Sequence, residues 1–486
     1  MKNFKTLFIM MAVAMMASCT NDVNDVLTLQ QAEGMPFIAT LAPKTFSATT
    51  RTLLNENADG SISSEWQVDD EITLRYGDLF SPTFATAKVT EVKADGSATI
   101  EASLGNDITD GQEVSLGYST NSELEQDGQL SNKLDWRAGT GIFKVIDGVA
   151  SLDGSVAMEA IGSIFKFTLQ DLGGNALNVK KFSISSAFEL AIINLASAAS
   201  SFYVGIVECS LAKDTEIWLT ATDEADNPYI AKVTTTKQVD PGKFYQTDLK
   251  MATLGDLMNS DGSFSATAEE GKTPIGVIAY LGNDNFTEPG VDGGGHGLVL
   301  ALKNAASKVK WSTNTTDWQF DEDAKVQDVA ALKRTTNVSG YSYTKGLATR
   351  TDAQTNYTAA YAAWNYTATV PEGTTGWFLP SAQQWVKLMT GLGGLSESAI
   401  TWGSWFDNNH TAADKWEAAL KKAGEGNYDS MTPWLLYWSS SEYSQGYAVG
   451  VGIDPTGTGD SYGFAVDCTK KDYVSGLSRV RSVLAF

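Results

Sequence analysis

Few residues in this 486-residue chain have the type and spacing for reaction chemistry. Proton transfer near neutral pH favours histidine, and the sequence has only His296 and His410, neither spaced beside a nucleophile. The run Ser439-Ser440-Ser441 lacks the strand-to-helix elbow of a hydrolase serine. Carboxylate pairs of the glycosidase kind abound in any acidic chain and single out no residues here. Three cysteines, Cys19, Cys209 and Cys468, lack the spacing of a zinc site, and the last two fall in different expected domains, which argues against a disulfide. The expectation is a protein without catalysis, cofactor or metal. Binding chemistry is better represented. Trp402-Gly-Ser-Trp405-Phe-Asp407-Asn408-Asn409-His410 gathers aromatic faces, amides and a carboxylate in one loop. Aromatic faces stack on sugar C–H faces, while Asp407, Asn408 and Asn409 suit sugar hydroxyls. The plainer reading is that Trp402 and Trp405 pack the core of their own loop, with ligand contact as the alternative. A glycine-rich loop around Asp292 to His296 is a second candidate surface.

These residues need a scaffold, and its signals lie on both sides of them. Gly376-Trp-Phe-Leu-Pro-Ser-Ala-Gln-Gln-Trp385 combines a turn, an apolar run and a helix start. Ser381 with Gln384 forms a capping box, and Trp385, Leu388, Met389 and Leu392 follow at helical spacing until the glycines from Gly391 stop the helix. Further helices are expected from Thr351 to Trp364 and from Thr411 to Ala423. Strands are expected at Pro274 to Tyr280, Gly297 to Leu302, Trp434 to Ser440, Tyr447 to Ile453, Tyr462 to Asp467 and Arg479 to Phe486. Residues 251–486 therefore read as an α+β domain. Residues 36–250 read differently. Alternating segments such as Glu71 to Tyr76, Thr86 to Val92, Ile164 to Leu169 and Glu216 to Thr222 recur between turns, as in an antiparallel β-sandwich. The chain as a whole is expected to be mainly β.

Formal net charge is −23, so phosphate backbones would be repelled and nucleic acid is not an expected partner. Residues 1–18 read as an export signal: Lys2 and Lys5 precede an apolar stretch too short to span a bilayer as a permanent helix. The stretch ends in Met16-Ala-Ser-Cys19, which resembles a bacterial lipoprotein signal, with Met16 in place of the commoner leucine. That resemblance implies acylation of Cys19 and a lipid anchor in the membrane, with residues 19–35 as a polar tether.

A second resemblance follows from the order of several motifs. Thr50-Arg51-Thr52, then Trp66-Gln-Val-Asp69-Asp70-Glu-Ile72, then Ile161-Gly-Ser-Ile-Phe-Lys-Phe167 and Gly242-Lys-Phe-Tyr245, resemble the fimbrillin-like lipoproteins of Bacteroidetes. Asp69 stands where that family usually has glycine. The resemblance implies a subunit of a donor-strand pilus. Its precursor is cut after an arginine near the N-terminus, here Arg51, and a neighbour's strand fills the vacated groove. Arg51 reads equally well as a plain surface arginine. The Gly376 to Trp385 motif and Tyr437-Trp-Ser-Ser-Ser-Glu-Tyr443 are similar to those of bacterial domains with the C-type-lectin-like fold. There Trp377, Pro380 and Trp438 would be structural. Glu288-Pro289-Gly290 lacks the side-chain oxygen of the calcium-binding lectin motif, so calcium is not expected by that route.

Together these features lead to the expectation of a surface lipoprotein of the outer membrane, joining a fimbrium after processing. It would be a pilus tip subunit that binds other pilus subunits by donor-strand exchange and a glycan or surface protein through its lectin-like domain. The alternative is a monomeric surface lipoprotein that binds glycan or protein without pilus assembly. A first strand lying centrally in its sheet would favour the pilus reading, and a peripheral one the alternative.

Overall fold

The computed structural model describes residues 34–44, 55–56, 62–119, 125–207, 211–282, 295–317, 319, 325–334, 339–406, 411–431, 435–454 and 463–486. The chain divides into two units: residues up to Gln170 with Ala176–Asp226 and Ala231–Lys250, and Met251–Phe486 with the short stretches Asp171–Asn175 and Asn227–Ile230. The protein is mainly β.

In the first unit the strands are β1 (Met35–Leu41), β2 (Asn55–Glu56), β3 (Ile62–Ser63), β4 (Glu71–Gly77), β5 (Pro82–Val92), β6 (Ala98–Leu104), β7 (Glu113–Tyr118), β8 (Glu125–Gln126), β9 (Arg137–Ile146), β10 (Val149–Leu152) and β11 (Glu159–Ala160). They are followed by β12 (Gly162–Asp171), β13 (Val179–Ser185), β14 (Glu189–Ala199), β15 (Ser201–Val207), β16 (Glu216–Thr222), β17 (Pro228–Thr234) and β18 (Phe244–Thr253). The expected strands are all present. They form two successive eight-stranded sheets, however: β10-β1-β6-β5-β4-β7-β9-β11 and β15-β12-β18-β17-β16-β13-β14-β8. In the first, β10 pairs with β9 as well as with β1, so the ladder returns on itself around a core that includes Phe37, Leu41, Trp66, Ile72, Leu74, Ile100, Leu116 and Phe143. Alternation of side-chain direction puts these apolar residues inside, as in β4, where Ile72 and Leu74 are fully buried. The β1–β10 pairing is parallel, an exception to the expected antiparallel order. No hairpin joins these two strands, so nothing forces them to run in opposite directions.

The second unit contains β19 (Leu257–Asn259), β20 (Phe264–Ser265), β21 (Pro274–Leu281), β22 (Gly297–Ala301), β23 (Ala306–Ser307), β24 (Trp377–Phe378), β25 (Trp405–Phe406), β26 (Leu435–Ser444), β27 (Tyr447–Asp454), β28 (Gly463–Lys470), β29 (Ser478–Val480) and β30 (Val483–Ala485). They form two six-stranded sheets, β20-β19-β21-β22-β30-β24 and β23-β29-β26-β27-β28-β25. Among the described residues the helices are α1 (Val329–Leu332), α2 (Gly340–Ala348), α3 (Ala353–Asn356), α4 (Thr358–Trp364), α5 (Ala382–Thr390) and α6 (Thr411–Lys421).

The two sharpest motifs are clasped together. The capping box forms: the Gln384 N–H donates to Ser381 Oγ at 3.1 Å and the Ser381 N–H donates to Gln384 Oε1 at 2.9 Å. Ser441 Oγ accepts from the Ala382 N–H at 3.0 Å, and the Ser440 N–H donates to Pro380 O at 2.9 Å. Trp385, Trp416 and Trp438 are fully buried, the first two stacked with centroids 6.1 Å apart. Glu442, the penultimate residue of the second motif, is buried in an ion pair with Lys471, 2.5 Å away, and accepts from the Gln319 N–H. These residues hold the unit together.

Several elements differ from expectation, among them the short α1, which no expected helix covers. The expected helix from Thr351 to Trp364 is two helices, α3 and α4, because Tyr357 leaves the helical region with φ −127° and ψ 54°. Helix α2 was not anticipated. Its glycines, serine and threonine give a weak helical signal, and Ser339 caps it by accepting from the Ser342 N–H at 3.2 Å. The expected last strand is split into β29 and β30, which lie in different sheets. Between them the buried Arg481 donates from Nη1 to Leu302 O and from Nη2 to Asp429 O, both at 2.7 Å.

Candidate functional site

The first strand is internal to its sheet. Seven residues of β1, Met35 to Leu41, pair antiparallel with β6 from Leu104 to Ala98. On the other side Phe37 pairs in parallel with Ala150. That contact continues past β10, where the Ala42 N–H donates to Val156 O at 2.8 Å and the Val156 N–H donates to Thr40 O at 3.0 Å. Phe37, Ala39 and Leu41 point inward and are buried, while Ile38 between them is 49% exposed. Phe37 meets Phe143 edge to face at 5.9 Å. Fully burying side chains of this size contributes about 1.5–3 kcal/mol each. The strand is therefore an integral part of the core. The next described strands, β2 and β3, pair with each other and, among the described residues, with no strand of the first sheet.

Past the end of β1 the chain is held by a polar pocket. Trp66 Nε1 donates to Ala42 O at 2.9 Å. The Lys44 side chain is wholly buried, with its ammonium 3.4 Å from both Asp70 Oδ2 and Asp135 Oδ2. The same nitrogen lies 4.2 Å from the ring centroid of Trp66 and 3.7 Å from that of Tyr118, two cation–π contacts. Tyr118 hydroxyl donates to Asp70 Oδ1 at 2.9 Å, Ser64 Oγ donates to Asp135 Oδ2 at 2.5 Å, and Arg137 Nε donates to Asp135 Oδ1 at 2.8 Å. Burial pulls the Lys44 pKa below that of a free lysine, opposed by the charges of Asp135 and Asp70. Burial also raises the Tyr118 phenol, with Asp70 adding to the shift, so this tyrosine stays a hydrogen-bond donor. Two local features support the pocket. Asp70 also accepts from the Gln67 N–H at 2.9 Å, closing the turn before β4. Trp136, between Asp135 and Arg137, packs on Gly162 and Gly205, where any Cβ would run into its ring.

Of the sequence-selected candidates, Trp402 stacks on Tyr443 with centroids 5.7 Å apart and packs against the core of its unit. Trp405 sits in β25, paired with Ala465, and is half-buried. Asp407, Asn408, Asn409 and His410 lie outside the described residues, as do Cys19, Arg51, Thr52 to Leu54, Cys209, the Glu288 to Gly290 triplet and Asp292. Cys468 is free, and burial raises its thiol pKa. The pocket around Lys44 was not anticipated as a unit. Trp66 and Asp70 were singled out as motif residues, but Lys44, Tyr118, Asp135 and Arg137 were not. The one available signal was the Asp135-Trp136-Arg137 run, two opposite charges flanking a tryptophan at the start of an apolar strand.

No family model matches the sequence, nor does any curated protein. Among solved structures, a fimbrial protein from Bacteroides ovatus is similar at 14% identity over 93% of this chain and 99% of that one, with a TM-score of 0.33. A fimbrial assembly protein from Parabacteroides distasonis matches at 11% identity over 44% of this chain and 89% of that one, with a TM-score of 0.25. A shaft pilin from Lactobacillus rhamnosus matches at 10% identity over 45% of this chain and 98% of that one, with a TM-score of 0.22. At these scores the functional reading rests on the geometry of β1 and on the motif order in the sequence.

Proposed function

We propose that this chain is the lipid-anchored precursor of a pilus subunit, activated when a protease cuts after Arg51 and β1 leaves its sheet. The observation that carries this reading is the internal position of β1, hydrogen-bonded along β6 and beside β10, with Phe37, Ala39 and Leu41 in the core. Its loss would open a groove with two unpaired backbone edges and a row of empty apolar seats. Such a groove takes an extended strand from another subunit, main-chain hydrogen bonds giving affinity and alternate side chains giving register. Arg51 falls between β1 and β2, so a cut there severs no other strand of the closed sheet. A central first strand favours this reading over a monomeric lipoprotein, for which a peripheral one is expected.

In this reading the second unit, with a C-type-lectin-like arrangement, is a non-enzymatic adhesin module at the pilus tip, displaying Trp402 to His410 toward a glycan or surface protein. Strand β30 is paired with both β22 and β24 and is fully buried, so it is not a strand free to enter a neighbour. That suits a subunit that accepts a strand without giving up this one. The test is an Arg51→Ala precursor expressed at the cell surface. It is expected to remain uncut and outside any polymer, whereas the wild-type chain is cut and incorporated. Normal polymerisation of Arg51→Ala would overturn the maturation step.

A further inference from the structure

We propose that the Lys44 pocket is a specificity site for a primary ammonium: after β1 leaves, it accepts a lysine side chain carried by the strand that takes its place. This rests on the strand-replacement reading above and adds a chemical requirement that an apolar groove alone does not impose. Lys44 lies three residues beyond Leu41, outside the alternating pattern of β1, and on the same segment. Whatever removes Phe37, Ala39 and Leu41 from the core therefore also removes this ammonium. The carboxylates of Asp70 and Asp135 and the guanidinium of Arg137 stay behind, one negative charge in excess. The side chains of Asp135 and Arg137 are completely buried and that of Asp70 is 10% exposed, so solvent compensates little of it. A buried charge whose partner is removed is strongly unfavourable. The faces of Trp66 and Tyr118, left without their cation, complete a cage in which the ammonium had two carboxylates at 3.4 Å and two rings at 4.2 and 3.7 Å.

The seat suits a compact point charge on a long apolar stem, which is lysine, better than a planar guanidinium. An incoming strand that runs as β1 does would present its lysine three residues after its last inward apolar side chain. One that runs the opposite way would present it three residues before the first. A strand with matching apolar spacing and no such lysine leaves the pocket charged and empty, and is rejected.

The test uses the full chain cut after Arg51, with a fluorophore on the released segment, and measures displacement of that segment by excess synthetic peptide. The probe is the ten-residue peptide of Met35–Lys44, amidated at its carboxyl end, compared with the same peptide acetylated on the lysine nitrogen and with the Lys44→Met peptide. Loss of a buried charge pair predicts that the unmodified peptide displaces the segment at a concentration at least about tenfold lower than either variant. In an Asp135→Asn chain the gap between peptides should narrow. Equal potency of the three peptides, or a gap unchanged by Asp135→Asn, overturns the ammonium site and leaves strand replacement standing. If no peptide displaces the segment, strand replacement itself fails and the site falls with it. Because the decisive comparison alters the peptide and not the protein, a folding defect cannot mimic the result.

Discussion

Asp69 holds a φ of +73°, a left-handed conformation that L side chains rarely adopt, in the turn that leads from Trp66 to Ile72. The strain falls at the position where the sequence resemblance anticipated glycine, and aspartate is among the few residues that tolerate it. The turn matters because its neighbours build the Lys44 pocket: Trp66 supplies a ring and Asp70 a carboxylate. Asp69→Gly should relieve the left-handed strain without moving either, and is expected to stabilise the chain by up to about 1 kcal/mol, less the backbone entropy glycine brings to the unfolded state. Urea unfolding of the two proteins checks this; a loss of stability would mean the Asp69 side chain has a partner of its own. Trp66 and Asp70 were legible as motif residues, but their role was not. The pocket is made by side chains far apart in sequence whose meeting depends on the sheet closing, and local periodicity carries no information on that closure.

At the level of elements, α5 was the most legible piece of the chain because every local signal agreed: cap, box, apolar face and glycine stop. Its cap is doubly bound, since Ser381 Oγ accepts from the helix while the adjacent Ala382 N–H is taken by Ser441 from β26. Ser381→Ala should cost about 1–2 kcal/mol, the upper range for a lost N-cap, because the freed Gln384 N–H is buried. The measure is the urea midpoint of the second unit's transition, with near-ultraviolet circular dichroism reporting the tryptophans behind the cap. Elements were misread where tertiary contacts overrode local pattern. The apolar spacing from Ala353 to Trp364 suits one helix, but Tyr357, its hydroxyl bonded to Arg350 and Gln319, leaves the helical region and interrupts it. Similarly, the alternation from Arg479 to Phe486 suits one strand, but the hydrogen bonds made by Arg481 divide it between sheets. Lys44 illustrates the reverse case: a lone lysine after a strand reads as solvated, and only the assembled cage shows why it is not.

For the whole molecule, the division into two units implies two separable responses to damage. Phe37→Ala removes a core ring from the first unit, and deletion of a buried phenylalanine costs about 3–5 kcal/mol. Its thermal transition should fall by several degrees while the transition of the second unit, followed through Trp385 and Trp416, stays where it was. A joint shift of both would show that the units unfold as one. On the proposed reading, the same substitution should speed loss of the first strand after a cut at Arg51. The closed first sheet also bears on the life of the chain before any cut. Open β-edges are where extended chains stick to one another, and in this sheet the long strands close on themselves, leaving only the two-residue β11 outside the ring among the described residues. While Met35–Leu41 occupies its place, a stray strand finds no long edge to zip onto in that ring. On the proposed reading, loss of that one strand would uncover two such edges at once, so the cut would set the moment at which the ring becomes able to pair with another chain.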